Sequence, residues 1–150
     1  MVHRLRYNIG WTLSGNSVFA LTQWAVVVLI ARIGSPEMVG SYALALAITA
    51  PIFLFANLNL RAYQATDVQD TFQFGQYLTV RLVTSAIALG VVGVLCLIGV
   101  VQAAHRSVVL AVSAAKVFET ISDAIYGLFQ RHEELDRIAR SLILRGCLGF

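Results

Sequence analysis

Four apolar stretches of about twenty residues each dominate this chain of 150 residues. They cover residues 12–33, 40–60, 78–101 and 108–129. A helix rises about 1.5 Å per residue, so a stretch of this length crosses the roughly 30 Å of hydrocarbon in a bilayer. Within that hydrocarbon a single segment satisfies its backbone hydrogen bonds only as a helix. The pattern therefore predicts an all-α integral membrane protein with four transmembrane helices.

A fifth apolar run begins at Ser141 and stops at Phe150. It is too short to cross the hydrocarbon as a helix. We therefore expect residues 1–150 to be a single membrane domain that closes with the start of a fifth span. On this interpretation the chain is the N-terminal piece of a longer protein.

The composition excludes the soluble classes. Hydrophobic residues make up 58% of the chain and charged residues 13%, against about a quarter charged in soluble domains. The lipid bilayer is thus the first expected partner. No basic stripe interleaved with aromatics points to nucleic acid. No nucleophile–base, phosphate-loop or metal-ligand motif points to an enzyme, a cofactor or a metal site.

The basic residues predict the orientation of the domain. With the N-terminus inside, eight arginines lie on the cytoplasmic side and two lie outside, which agrees with the positive-inside rule. The inside set is Arg4, Arg6, Arg61, Arg81, Arg131, Arg137, Arg140 and Arg145, and the outside set is Arg32 and Arg106. We therefore expect a cytoplasmic N-terminus.

Three ionisable residues interrupt the fourth stretch. Lys116, Glu119 and Asp123 fall within one arc of a helix, because each residue advances the helix by about 100°. A charge at mid-membrane costs roughly 2.5–3.5 kcal/mol on insertion scales, which makes such residues candidates for a functional site. Lys116 and Glu119 can pair along the helix. Asp123 lies two turns from Lys116 and needs a proton, a cation or a group on another helix.

Two interpretations of this arc stay open. In the structural one, the charges form a neutralised network. In the functional one, Lys116 counters an anionic group of a substrate, and Glu119 or Asp123 binds a coupling proton or sodium ion. The second interpretation makes the arc part of a water-filled cavity.

Polar residues on other stretches extend the candidate site. Asn16 and Gln23 project from the same side of the first helix. They are predicted either to hydrogen-bond to other helices or to line a polar cavity. Arg61, after the second stretch, is either an interfacial anchor or a ligand.

The order of these features resembles the N-terminal part of the oligosaccharide flippases. These belong to the multidrug, oligosaccharidyl-lipid and polysaccharide exporter superfamily. The most specific pieces of the resemblance are "GSYALALAITAPIFLF", "LRAYQATD" and "SDAIYGLFQRHEELDRIARS".

The resemblance implies a bundle of about twelve to fourteen helices in two lobes around a central cavity. This chain would supply most of the first lobe. Such proteins move undecaprenyl-pyrophosphate-linked sugar repeats across the bacterial inner membrane, and the polysaccharide polymerase machinery is a further expected partner. Their cavity is polar and generally basic, a role that Lys116 and Arg61 fit here. Asn16, Gln23, Glu119 and Asp123 would be further lining groups.

Two other hypotheses for the function remain open. One is a small multidrug or cation exporter built from four-helix subunits, although its essential acid is expected in the first span, where this chain has none. The other is a non-transporting membrane scaffold subunit whose buried charges pair with a partner protein.

Overall fold

The structure is a computed structural model that describes residues 2–66, 72–131 and 135–148. Six α-helices form the described part of the chain. They are α1 (Val2–Ile33), α2 (Pro36–Ala56), α3 (Leu60–Thr66), α4 (Phe74–Leu97), α5 (Arg106–Arg131) and α6 (Leu135–Leu148). A short 3-10 helix, Ala103–His105, precedes α5. The prediction of an all-α protein is confirmed for these residues.

Three stretches within the described residues are long and apolar enough to cross a membrane. They are Gly10–Ile33, Pro36–Thr66 and Phe74–Leu97. Helix α5 has 26 residues, which is also long enough, at roughly 39 Å. However, every 18-residue window of α5 contains Lys116, Glu119 and Asp123, and α5 is not among the three candidate spans. The fourth span therefore stays a prediction.

Helices α2 and α4 begin and end about four residues before the bounds of the apolar stretches 40–60 and 78–101. Helix α2 starts at Pro36, because proline suits a first helical turn, where its missing N–H costs nothing. It ends at Ala56, because Leu58 and Asn59 adopt left-handed backbone angles with φ of 46° and 52°. Helix α4 ends at Leu97, shortly before Gly99 with φ of 84°. The apolar residues 98–101 therefore lie outside the helix.

Helix α5 lies at the centre of the bundle, between α2 and α4. Near its start, Val109 packs in one buried cluster with Ala45 of α2 and Cys96 of α4. Further along, Thr120 Oγ1 lies 2.9 Å from Ser85 Oγ of α4. Cys96 thus lies near Val109, and Ser85 lies near Thr120. Residue numbers fall along α4 as they rise along α5, so the two helices are antiparallel.

Helix α6 packs along α1, and the two run in the same direction. A Cβ added at Gly15 would lie 2.8 Å from the Cα of Ala139, and one added at Gly146 would lie 2.9 Å from Thr22 Oγ1. Position 15 therefore meets 139, and position 22 meets 146. Since alternating spans reverse direction, a fifth span should run parallel to the first. Helix α6 has this direction, and its assignment as the start of a span stays a prediction.

The helix that contains the fifth apolar run begins before that run. The charged residues 131–140 lie between the fourth apolar stretch and the fifth apolar run, which starts at Ser141, and they could form a loop. Instead, α5 continues to Arg131 and α6 begins at Leu135. In α6, Ile138 and Ala139 are buried and Arg140 is exposed. The charged residues form one face of an amphipathic helix, and the apolar residues form the other. This helical periodicity is not considered when the segment is assigned as a loop. Residues 132–134 and 67–71 lie outside the described residues.

Gly15 tests the packing of α1 on α6. Replacing it by alanine forces the Ala139 backbone to move, since real Cβ atoms essentially never approach another atom this closely. We expect Gly15→Ala to lower the free energy of unfolding in detergent by about 1–3 kcal/mol. Gly10→Ala, on the same helix with no atom within 4 Å of the added Cβ, is the matched control. Equal stability of the two variants would contradict this packing.

Candidate functional site

The charged face of α5 meets basic residues from three other helices. Glu119 lies between two basic groups, one on α5 itself and one on α6. Its Oε2 is 2.6 Å from Lys116 Nζ on the same helix, and its Oε1 is 3.4 Å from Arg145 Nη2 on α6. The predicted pair along α5 is therefore present, but it is part of a group of three charges that joins α5 to α6.

Asp123 is held between two arginines. Its Oδ1 is 3.6 Å from Arg61 Nη1 on α3, and its Oδ2 is 3.7 Å from Arg81 Nη2 on α4. The sequence required a proton, a cation or a group on another helix for this carboxylate. The structure provides two groups on other helices, Arg61 and Arg81.

Arg81 is the most buried member of the site, with a side chain that is 3% exposed. Its Nη1 donates to the backbone oxygen of Asn57 at 2.8 Å and to Asn57 Oδ1 at 3.0 Å. Its Nε donates to the backbone oxygen of Thr120 at 3.2 Å. A buried guanidinium is stable only when its donors and its charge are satisfied. These contacts, with Asp123, meet that need and connect α4 to α2 and α5.

Arg61 is more accessible, with 39% of its side chain exposed. Its Nε donates to Gln130 Oε1 at 3.2 Å, and its guanidinium lies 5.6 Å from the centre of the Tyr126 ring. Both partners belong to α5. Because its own side chain is partly exposed, Arg61 can exchange a partner for an incoming anion at lower cost than Arg81 can.

Two neighbouring cavities open along this charged face. The larger, about 540 Å³, lies among α1, α2, α5 and α6 and is lined by Gln23, Val26, Tyr42, Leu46, Val112, Ala115, Lys116, Phe118, Glu119, Ser122 and Arg145. The smaller, about 300 Å³, is lined by Thr12, Asn16, Phe19, Arg61, Glu119, Asp123, Tyr126, Gln130, Leu135, Ile138, Ala139, Leu142 and Arg145. Glu119 and Arg145 belong to both linings. Their ion pair therefore lies at the boundary between the cavities.

All six residues predicted from the sequence line these cavities. Gln23, Lys116 and Glu119 line the larger one, and Asn16, Arg61, Glu119 and Asp123 line the smaller one. Asn16 Nδ2 donates to Thr12 O of its own helix at 2.8 Å, so this donor is not used to bind another helix. The roles of these residues toward a substrate stay predictions.

Sequence reasoning missed two basic residues, Arg81 and Arg145. Both were counted as cytoplasmic charges. Arg81 lies eight residues into α4, and Arg145 lies in the last turn of α6. The sequence did contain a signal for Arg81. Apolar residues of α4 lie on both sides of it along the chain, so its side chain is expected to be buried among the helices. The partner of each, however, depends on packing between helices.

The assembled site carries a surplus of positive charge. Four basic groups, Arg61, Arg81, Lys116 and Arg145, face two carboxylates, Glu119 and Asp123. The difference of four and two leaves two formal positive charges in the interior of the bundle. Three of the four basic groups, Arg61, Lys116 and Arg145, line the cavities, and such a basic lining is suited to an anionic group.

The chain is similar to one described relative. It is 33% identical over 135 residues to the capsular polysaccharide biosynthesis protein CapF of Staphylococcus aureus. The match covers 90% of this chain and 33% of the relative, so the chain spans about a third of the length of that protein. No family model matches the chain. No solved structure matches it either.

Asp123 tests the charged network. Asp123→Asn leaves the buried Arg81 without a carboxylate, so we expect the free energy of unfolding to fall by about 1–3 kcal/mol, less than for a fully buried pair because Asp123 is 27% exposed. Asp136→Asn is the matched control, since Asp136 pairs at 3.8 Å with Arg140, which is 64% exposed, and such surface pairs contribute about 0–1 kcal/mol. Denaturation in detergent measures both. If the two variants lose the same stability, Asp123 does not hold the network.

Proposed function

We propose that these helices form part of the first lobe of a membrane flippase for lipid-linked oligosaccharides. The observation that carries the proposal is the excess of basic groups around the two cavities. Arg61, Lys116 and Arg145 line them beside two carboxylates, and Arg81 pairs with one of these carboxylates from outside the lining. A diphosphate between a polyprenyl chain and a sugar repeat is an anion that must pass the apolar bilayer. Arginine and lysine form charge-assisted hydrogen bonds with such groups. The substrate class proposed is therefore an undecaprenyl-pyrophosphate-linked oligosaccharide.

The likeness to CapF supports a role in polysaccharide biosynthesis, because that protein is described by this process. The chain spans only a third of that relative, so translocation by a complete protein is part of our proposal. So are a second lobe, the bacterial inner membrane as the location, a cytoplasmic N-terminus and the polysaccharide polymerase machinery as a partner.

The two carboxylates are the candidates for coupling to an ion gradient. Glu119 and Asp123 each lie between two basic groups. A proton or sodium ion arriving at either carboxylate would replace part of that pairing and release a basic group toward the cavity. Coupling would then follow from competition between the ion and the basic group for one carboxylate.

The contacts of the charges weaken the scaffold alternative. That hypothesis requires the buried charges of α5 to pair with a partner protein. Here Glu119 and Asp123 pair with Lys116, Arg145, Arg61 and Arg81 of the same chain. A small exporter with its essential acid in the first span is also less favoured, since α1 has no acidic residue.

Removal of a cavity charge tests the proposed function. We expect Arg61→Gln and Lys116→Met each to lower surface polysaccharide by at least about tenfold, the effect of losing one hydrogen bond to a charged group. The measurement compares surface polysaccharide with lipid-linked precursor retained in the cell, at equal membrane levels of the protein. Precursor should accumulate as surface polysaccharide falls.

Arg32→Gln is the control for this experiment, because Arg32 is exposed at the last turn of α1, outside both cavities. It should leave both quantities unchanged. Unchanged export by Arg61→Gln and Lys116→Met at normal membrane levels would refute the proposal.

A further inference from the structure

The position of Arg61 depends on a break in the chain. Arg61 is the second residue of α3, a helix of seven residues. Helix α3 follows α2 through residues 57–59, where Leu58 and Asn59 have positive φ. Side chains other than glycine rarely adopt this conformation, and leucine less readily than asparagine. Such a break persists only where surrounding contacts hold it.

Arg81 supplies contacts that hold this break. Its Nη1 donates both to the backbone oxygen and to the side chain of Asn57, the residue that ends α2. The same guanidinium reaches Thr120 O and Asp123 on α5. One buried group thus fixes the end of α2 relative to the helix on which α3 packs.

This geometry points to Arg81 as a positioning residue for Arg61. By fixing the turn from α2 into α3, Arg81 holds Arg61 beside Asp123 and at the wall of the smaller cavity. Arg81 itself does not line either cavity, so it acts through Arg61. The inference rests on the proposed function only in giving Arg61 an anionic ligand, while the placement of α3 is independent of any substrate.

Planar geometry explains why arginine is needed here. The guanidinium presents donors in three directions and therefore reaches Asn57, Thr120 and Asp123 together. A lysine ammonium is a single point charge that can serve Asp123 but not all three partners. Arg81→Lys should thus preserve the charge and lose part of the hold on the break.

The contact between α3 and α5 offers a reporter of this placement. Gln64 of α3 is buried, and its Cβ lies 3.5 Å from the position of a Cβ added at Gly127. Disulfides form readily at Cβ separations of about 3.5–4.5 Å. Substitution of Gln64 by cysteine also removes the amide atoms that would otherwise clash with a side chain at position 127. The pair Gln64→Cys and Gly127→Cys should therefore crosslink when α3 is held in place.

A second pair reports on the rest of the bundle. A Cβ added at Gly146 lies 3.6 Å from the Cβ of Thr22, so Thr22→Cys with Gly146→Cys should crosslink α1 to α6. This pair has nearly the same Cβ separation as the first and does not involve α3. Both pairs are made in the complete protein with Cys96→Ala and Cys147→Ala. Mild oxidation, followed by labelling of the remaining thiols with a polyethylene-glycol maleimide, gives the rate of each crosslink.

We expect Arg81→Gln to slow the 64–127 crosslink about tenfold, the change that loss of one hydrogen bond to a charged group produces. The 22–146 crosslink should keep its rate, and Arg81→Lys should give an intermediate rate at 64–127. Arg106→Gln is the control, since Arg106 Nε donates to Val101 O at the other end of α5. It should change neither crosslink.

Either of two results overturns the inference. An unchanged 64–127 crosslink in Arg81→Gln would mean that Arg81 does not hold α3. Equal slowing of both crosslinks would mean that Arg81 supports the whole bundle and has no specific effect on α3. Neither rate involves a substrate, so the polysaccharide assay can fail while this inference stands, and the reverse is equally possible.

Discussion

The pairing of charges inside an apolar bundle is the constraint on which the rest of this structure depends. An unpaired charge in hydrocarbon is costly, and a carboxylate on a central helix must therefore find a base on a neighbour. Glu119 and Asp123 do so with residues of α3, α4 and α6 as well as of α5 itself. These ion pairs connect helices that also meet through apolar contacts and hydrogen bonds. The central place of α5 follows from this requirement together with its packing on α2 and α4.

The same pairs shape the candidate site. Four basic groups share two carboxylates, so the network keeps a positive charge, and three of the four basic groups line the cavities. The members also differ in accessibility. Arg81 is enclosed and fully engaged, whereas Arg61 is half-exposed beside Gln130 and Tyr126. The two arginines therefore have different roles in one network. Arg81 is buried and holds the backbone in place, whereas Arg61 is accessible and can exchange partners.

Much of the local architecture could be predicted because it follows from spacing along one helix. The arc of Lys116, Glu119 and Asp123 and the pair within it depend on the 100° advance per residue alone. The ends of helices were predicted less well. The apolar residues after Leu97 continue the hydrophobic pattern, but Gly99 turns the backbone away. Leu58 and Asn59 break the helix without a glycine or proline, so the strongest local signals for a break are absent. Residues 135–140 look like a charged loop until their apolar positions are placed against α1.

The sequence by itself determined an all-α protein with apolar helices long enough to cross a membrane, and it determined which residues of α5 share one face. These properties depend on composition and on helical geometry, which are local. Only the tertiary structure decided that Asp123 lies between Arg61 and Arg81, that Arg145 reaches Glu119, and that two cavities meet at that pair. Such partners are separated by up to 62 residues along the chain, from Arg61 to Asp123. Their meeting depends on how the helices pack, which no periodicity within a single helix encodes.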